Sequence, residues 1–139
     1  MFSRPVVVIL PAVDAVESVE ELSEFTDQCA IFQWAALQES VYPDLALLFS
    51  TLNGVRLPIG LAVKAKAAVN KKGVPDLILL VPRGKWHGFL CELKHGDNKP
   101  SPEQIGWINA LTAKGYCVVV AWGWEMAIEQ IKDYLEKRM

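Results

Sequence analysis

Two short apolar runs separated by a turn constrain the fold of this chain more than any other feature. The runs are Leu77 to Val81 and Phe89 to Leu93, and the loop "PRGKWHG" between them carries a proline, two glycines and charged residues. Short apolar runs bounded by turn residues are typical of buried strands, and a loop of this composition reverses the chain. The sequence therefore predicts a buried hairpin.

Charged residues lie at one end of this hairpin. Asp76 comes directly before the first run, and Glu92 and Lys94 lie at the end of the second. Side chains alternate between the two faces of a strand, so Glu92 and Lys94 share a face and Leu93 points the other way. If the runs pair antiparallel, two carboxylates and an ammonium meet at the edge of a buried sheet. Buried charges require a partner or a metal ion.

The other elements follow from periodicity and from helix start and stop signals. Because a helix connects the strand of Glu92 to the strand "YCVVVAW", those two strands should pair in parallel, in a mixed sheet flanked by helices. The fold class is therefore predicted to be α/β. The predicted elements are a helix over Glu17 to Leu37, a strand over Leu47 to Leu52, a basic helix over residues 61–72 stopped by Gly73, a helix capped by Ser101 and stopped by Gly115, and a closing amphipathic helix over residues 124–138.

Length and composition indicate one ordinary globular domain over residues 1–139. The chain is 52% apolar and 22% charged, and no apolar run reaches the roughly 18 residues of a membrane span. Three widely spaced cysteines in apolar contexts indicate reduced thiols, and we expect an intracellular (cytoplasmic) protein that does not enter a membrane. They are Cys29, Cys91 and Cys117.

The charge distribution is uneven and points to a nucleic-acid partner. Residues 56–99 hold nine of the fourteen lysines and arginines but three of the sixteen acidic residues. A local basic surface is what a protein that binds the phosphate backbone requires. A solvated lysine-rich face would give the same pattern.

The acidic pair predicts a site for a hard metal ion. Mg²⁺ prefers oxygen ligands and typically uses one or two carboxylates, so Asp76 and Glu92 could bind it, or Mn²⁺, together with the Leu93 carbonyl. Lys94 could polarise an attacking water or neutralise a phosphate. The implied reaction is metal-dependent phosphodiester hydrolysis. The alternatives are that Asp76 is only a turn residue and that Lys94 only protects a sheet edge.

Four stretches together resemble a known family, the VRR-NUC branch of the PD-(D/E)XK nucleases, which have a restriction-endonuclease-like core. They are "KKGVPDLILLVP", "GFLCELK", "KPSPEQIGWINALTAKGY" and "AIEQIKDYL". The resemblance implies that Asp76 and Glu92 bind metal, that Lys94 is the catalytic lysine, and that Gln104 supports the site. Ser101 and Gln104 also form the pattern of a capping box, and the two roles of Gln104 are compatible.

The resemblance also implies a further acidic metal ligand on the first helix, for which Glu24 fits best and Glu21 is the alternative. Single-domain relatives of this kind are expected to cut branched DNA, such as four-way (Holliday) junctions, as homodimers. Candidate interface residues are Phe2, Trp34, Tyr42 and Phe49.

A non-catalytic nucleic-acid-binding or assembly module with the same fold is the alternative function. Two groups of residues near the predicted site are assigned no role in it. His87 and His95 are predicted to lie on the surface. Trp107, Trp122 and Trp124 are predicted to serve core or interface packing rather than base stacking.

Overall fold

A computed structural model of the chain describes residues 19–51, 59–67 and 71–139. These residues form four helices and four strands, with a short 3₁₀ helix at Pro43–Leu47. In chain order they are α1 (Val19–Gln38), β1 (Leu48–Ser50), α2 (Ile59–Ala67), β2 (Leu77–Leu79), β3 (Phe89–Lys94), α3 (Pro102–Ala113), β4 (Cys117–Trp122) and α4 (Trp124–Leu135).

The four strands form one mixed sheet in the order β1-β2-β3-β4. Strand β2 pairs antiparallel with both β1 and β3, and Leu77 lies opposite Cys91. Strands β3 and β4 are parallel, with α3 as the crossover between them, and Lys94 lies beside Trp122. The predicted hairpin, the parallel pair and the α/β fold class are therefore confirmed.

The hydrophobic core lies on one face of this sheet, between the strands and helices α1 and α4. Alternate residues of the inner strands point into it, because side chains on a strand alternate between faces. The largest fully buried apolar side chains are Tyr134, Phe89, Ile31, Leu77, Leu79, Leu93 and Ile131. The intervening residues of β3, including Glu92 and Lys94, point to the opposite face.

Helix α3 lies over that opposite face, yet it has no buried residue. Its N-terminus is closed by a capping box in which Ser101 and Gln104 each accept a backbone hydrogen bond from the other. Part of its attachment is polar, because the Trp107 indole N–H donates to the carbonyl oxygen of Lys72 at 3.1 Å. This polar attachment places the first turn of α3 beside the end of β3.

The structure differs from the sequence prediction at the basic helix. Helix α2 ends at Ala67 in the described residues, and Lys71 and Lys72 lie outside any helix. The predicted strand over Leu47 to Leu52 is shorter, at Leu48–Ser50, and Leu52 lies outside the described residues. Lysine and alanine are good helix formers, but tertiary contacts override propensity, and the close approach of Gly73 to α3 requires a turn before the hairpin.

Cys91 and Cys117 lie in the core as the sequence predicted, whereas Cys29 is only partly buried. All three cysteines are free. None of the helices in the described part of the chain is long and apolar enough to cross a membrane.

Two isoleucines should separate core packing from surface exposure. Ile131 of α4 is fully buried, whereas Ile105 of α3 is 47% exposed. We expect Ile131→Ala to lower the free energy of unfolding by about 2–5 kcal/mol, because it removes buried methyl groups and leaves a cavity. Ile105→Ala should change it by about 0.5 kcal/mol or less. Urea denaturation followed by circular dichroism measures both. Equal effects would contradict the packing described here.

Candidate active site

Asp76 is held opposite Glu92 by the strands on both of its sides. Continuing the β2–β3 register by one residue beyond Leu77 and Cys91 pairs Asp76 with Glu92. The Asp76 carboxylate accepts the backbone N–H of Leu93 at 2.8 Å, and the Asp76 carbonyl accepts the N–H of Thr51 at 2.8 Å. The Asp76 carboxylate therefore accepts the Leu93 N–H in place of a backbone carbonyl of the neighbouring strand. This hydrogen bond fixes the side chain at the edge of the sheet.

The turn before Asp76 is also held from two directions. The Thr51 hydroxyl donates to the carbonyl oxygen of Pro75 at 3.1 Å. On the other side, Gly73 has φ of +95°, and a Cβ there would lie 2.8 Å from the backbone of Glu103. Only glycine accepts both this conformation and this close approach. Gly73 thus packs the turn tightly against α3, which explains the glycine of the motif "GVPD".

Glu92 is the most deeply buried charged residue of the site, with 2% of its surface exposed. Its Oε1 accepts a hydrogen bond of 2.6 Å from Gln104 Nε2 and lies 3.7 Å from Lys94 Nζ. Its Oε2 is buried and has no hydrogen-bond partner among the described residues. Gln104 therefore takes part in both the capping box and the site, and it binds only one of the two oxygens of Glu92.

Burial raises the pKa of both carboxyl groups. For Glu92, burial first and then the negative charge of Asp76 raise the pKa to about 9, although Lys94 lowers it. For Asp76, burial raises the pKa, and the Leu93 N–H, Glu92 and Lys94 act in the opposite direction. Without a further cation, the pair therefore holds a proton at neutral pH. The positive charge of Lys94 does not offset the burial of two carboxylates.

Helix α1 brings a third acidic residue to the same end of the sheet. Glu24 is half-buried, and burial is the largest cause of its raised pKa. The same pKa is lowered by the charge of Lys94 and raised by that of Asp76, so Glu24 lies within electrostatic reach of both. Glu21, the alternative, also belongs to α1, but its side chain is not among those that the structure describes. The structure thus places Glu24 beside the site.

A neighbouring pair was missed by sequence reasoning. The Asp27 carboxylate, one turn after Glu24 on α1, has a buried Oδ2 that lies 3.6 Å from His95 Nδ1. His95 had been predicted to be a surface residue, and its side chain is 44% exposed. The spacing of Glu24 and Asp27 could have indicated that both face the sheet, but nothing local in the sequence connects Asp27 with His95.

The site fits a hard divalent cation. Among the described residues, no three His, Cys, Asp or Glu side chains form a group that could hold an ion by themselves. Mg²⁺ does not require such a group, because it usually takes one or two carboxylates and completes its shell with water and phosphate oxygens. The free Oε2 of Glu92 and the raised pKa values of the pair are what a missing cation would leave behind.

Comparison with known proteins identifies the family. The model of the VRR-NUC domain matches residues 16–124, which include every residue described above for the site. The chain belongs to the VRR-NUC family. A solved structure named "VRR_NUC domain protein" is 31% identical to it, with a TM-score of 0.68, and the match covers 82% of this chain and 88% of that one. No curated protein matches the chain.

Membership of the VRR-NUC family gives the chain a nuclease-type fold, with the mixed sheet and flanking helices that the sequence predicted. It confirms the resemblance drawn from the motifs around Asp76 and Glu92. The motif residues of this VRR-NUC chain converge in space, because Asp76, Glu92, Lys94 and Gln104 surround one end of β3.

The raised pKa of Glu92 predicts how the stability of the metal-free protein depends on pH. The pKa of Glu92 in the folded protein, about 9, exceeds the ordinary value of 4.5. The stability that this group contributes is therefore fully present below about pH 4.5 and is lost as the pH rises toward 9. We expect Glu92→Gln, which stays neutral and can still accept from Gln104, to remove much of this slope. At pH 8 it should stabilise the protein by about 1–3 kcal/mol.

The measurement is urea denaturation in excess chelator between pH 5 and pH 9. Glu129→Gln, at an exposed residue of α4, is the control and should keep the slope of the natural sequence. A natural protein whose stability does not change over this range would show that Glu92 is charged and fully compensated.

Proposed function

We propose that this VRR-NUC chain is a metal-dependent endonuclease that hydrolyses phosphodiester bonds in DNA. One observation carries the proposal: two buried carboxylates with raised pKa values share a sheet edge with a lysine, and one of their oxygens has no partner among the described residues. Such an arrangement is costly unless a cation completes it. Because the chain belongs to a nuclease family, metal-dependent cleavage of DNA would explain why this costly arrangement is present.

Each residue of the site has a distinct part in this proposal. Asp76 and Glu92 would hold Mg²⁺, or Mn²⁺ in its place, with the Leu93 carbonyl as a further ligand and Glu24 as an acid on its outer side. When bound, such an ion lowers the pKa of a water and stabilises charge on the phosphate. Gln104 fixes the rotamer of Glu92 through its 2.6 Å bond.

Lys94 supplies positive charge at the reacting phosphate. Its side chain is 12% exposed, so the ammonium is largely shielded from bulk water and its field is weakly screened. It can donate to a phosphate oxygen or to the attacking water and stabilise the negative charge that develops there. Its distance of 3.7 Å from Glu92 keeps it on the same face as the carboxylates.

Branched DNA is the proposed substrate and a homodimer the proposed assembly. A four-way junction has approximate two-fold symmetry, and a two-fold dimer presents two equivalent sites to it. Of the four candidate interface residues, Phe49 is 44% exposed, Trp34 and Tyr42 pack against the core, and Phe2 lies outside the described residues. Helix α2 is a stronger candidate, because Ile59, Leu61 and Val63 are 86%, 51% and 64% exposed.

A non-catalytic binding module is the second candidate function. Exposed lysines such as Lys64 and Lys99 would serve DNA binding without any chemistry. Buried carboxylates would not help a protein that only binds DNA, since a negative charge repels the phosphate backbone. The intact set of Asp76, Glu92 and Lys94 therefore favours the nuclease.

Cleavage assays test the nuclease directly. We expect cleavage with Mg²⁺ or Mn²⁺ and none in excess chelator. Asp76→Asn and Glu92→Gln should each reduce the rate more than about 100-fold, because residues that only support metal ligands already cost roughly 10- to 100-fold. DNA affinity should be kept or improved, since each variant removes a group that can become negatively charged and adds none. Glu129→Gln should cleave like the natural protein. Full activity in chelator, or in either site variant, would contradict the proposal.

Light scattering tests the dimer. We expect a mass of twice the 15.5 kDa of one chain at micromolar concentration. Leu61→Glu should shift the mass toward one chain, because it places a charge in the proposed apolar contact. Leu37→Glu, at a leucine of α1 that is 79% exposed, is the matched control and should leave the dimer intact. A natural protein that is monomeric would refute the assembly and leave the metal chemistry untouched.

A further inference from the structure

An exposed tryptophan lies beside the proposed catalytic lysine. Trp122 ends β4, is the register partner of Lys94 on β3, and points to the same face of the sheet, since residues paired across a parallel ladder share a face. Its side chain is 40% exposed, and it is not part of the core cluster. Trp122 was predicted to serve core or interface packing; it does not belong to the core, and its position on the same face as Lys94 raises a different possibility.

A hydrogen bond at the N–H edge of the Trp122 indole holds the ring in place. Its indole N–H donates to the backbone carbonyl of Asn98 at 2.8 Å, which ties the strand end to the loop that joins β3 to α3. The polar edge of the indole is thus satisfied, and the exposed part of the ring is apolar. A fixed aromatic ring loses little conformational entropy when a flat ligand stacks on it.

The loop and the indole together form an open cleft of about 640 Å³. This volume is in the range of sites that bind small molecules or single groups of larger ones. The cleft is lined by Gly96, Asp97, Asn98, Lys99 and Trp122. Lys99 and Asp97 bring one positive and one negative charge to the cleft, so its lining has no net charge and suits a neutral, flat and polar-edged group better than it suits a phosphate.

We propose that this Trp122 cleft receives an unpaired nucleobase of the DNA substrate, which stacks on the indole while its phosphates pass Lys94 and Lys99. The inference rests on the proposed nuclease function, because only a DNA strand that passes the site at Lys94 brings a base within reach of the neighbouring strand end. Bases inside a duplex are already stacked and paired, so the cleft selects DNA with an unpaired or splayed base, as at a branch point.

Two tryptophans of similar exposure provide the test. Trp122→Ala should weaken binding of a short oligothymidylate by roughly 5- to 150-fold, the range for losing one stacked base, and should change duplex affinity by less than about 2-fold. Trp124→Ala is the matched control, because Trp124 is 41% exposed but does not line the cleft, and it should bind both DNAs like the natural protein. Fluorescence anisotropy in chelator measures binding without cleavage.

Trp122→Phe separates stacking from a structural role. Phenylalanine keeps an aromatic face but cannot donate to Asn98, so under the proposal it should retain most of the affinity for the single strand. If Trp122→Phe binds as weakly as Trp122→Ala, the indole only tethers the loop and the proposal is overturned. Unchanged single-strand affinity in Trp122→Ala, or a change only in its oligomeric mass, also overturns it.

A parallel assay distinguishes this inference from the nuclease proposal. The natural protein and the Trp122 variants are given plain duplex and splayed duplex with Mg²⁺. If the natural protein cleaves neither DNA, the nuclease proposal fails, and the oligothymidylate titration still decides the role of Trp122. If the natural protein cleaves and Trp122→Ala keeps its preference for the splayed duplex, the nuclease stands and the cleft is misassigned.

Discussion

The contact between Glu92 and Asp76 across the hairpin governs this structure. Two carboxylates are buried side by side, and burial raises the pKa of both. Buried ionisable pairs of like charge do not stabilise a fold, so the surrounding structure must hold them. The Leu93 N–H fixes Asp76 and the Gln104 amide fixes Glu92, and in each case the donor belongs to a regular element. The apolar core on the other side of the sheet offsets the free-energy cost of burying these two carboxyl groups.

Helix α3 shows how closely fold and site are joined. None of its residues is fully buried, although Trp107, Ile108 and Leu111 are half-buried, so apolar packing alone does not explain its position. Its first turn is tied to the site by Gln104, and its middle is tied to the turn before Asp76 by Trp107. The close packing of Gly73 against Glu103 completes the attachment. The same bonds that orient Glu92 therefore position the helix, and the crossover between β3 and β4 cannot shift without moving the carboxylate.

Local signals in the sequence were sufficient to predict much of this arrangement. The hairpin, the parallel pairing and the capping box at Ser101 each depend on residues close together in the chain, and all three are confirmed. The convergence of Asp76 and Glu92 followed from strand alternation once antiparallel pairing was assumed. Family membership was predicted from motifs and confirmed by the family model.

What the sequence did not predict depends on contacts between distant parts of the chain. Thr51 carries no motif, and its bonds to the Pro75–Asp76 backbone exist only because β1 pairs beside β2. The sequence prediction placed Lys71 and Lys72 in a helix, whereas the turn at Gly73 that packs against α3 takes them out of it.

The exposure of Trp122 was not predicted, for a related reason. A tryptophan that ends an apolar strand is usually buried, and only the parallel register places it beside Lys94 with its ring open to solvent. The outermost residue of a strand escapes the core when the chain leaves the sheet immediately, as it does here at Gly123, where φ is +88°. The open position next to Lys94 thus depends on where β4 ends. Because β4 ends at Trp122, none of its residues extends past the ring on that face, and the indole stays open to solvent beside Lys94.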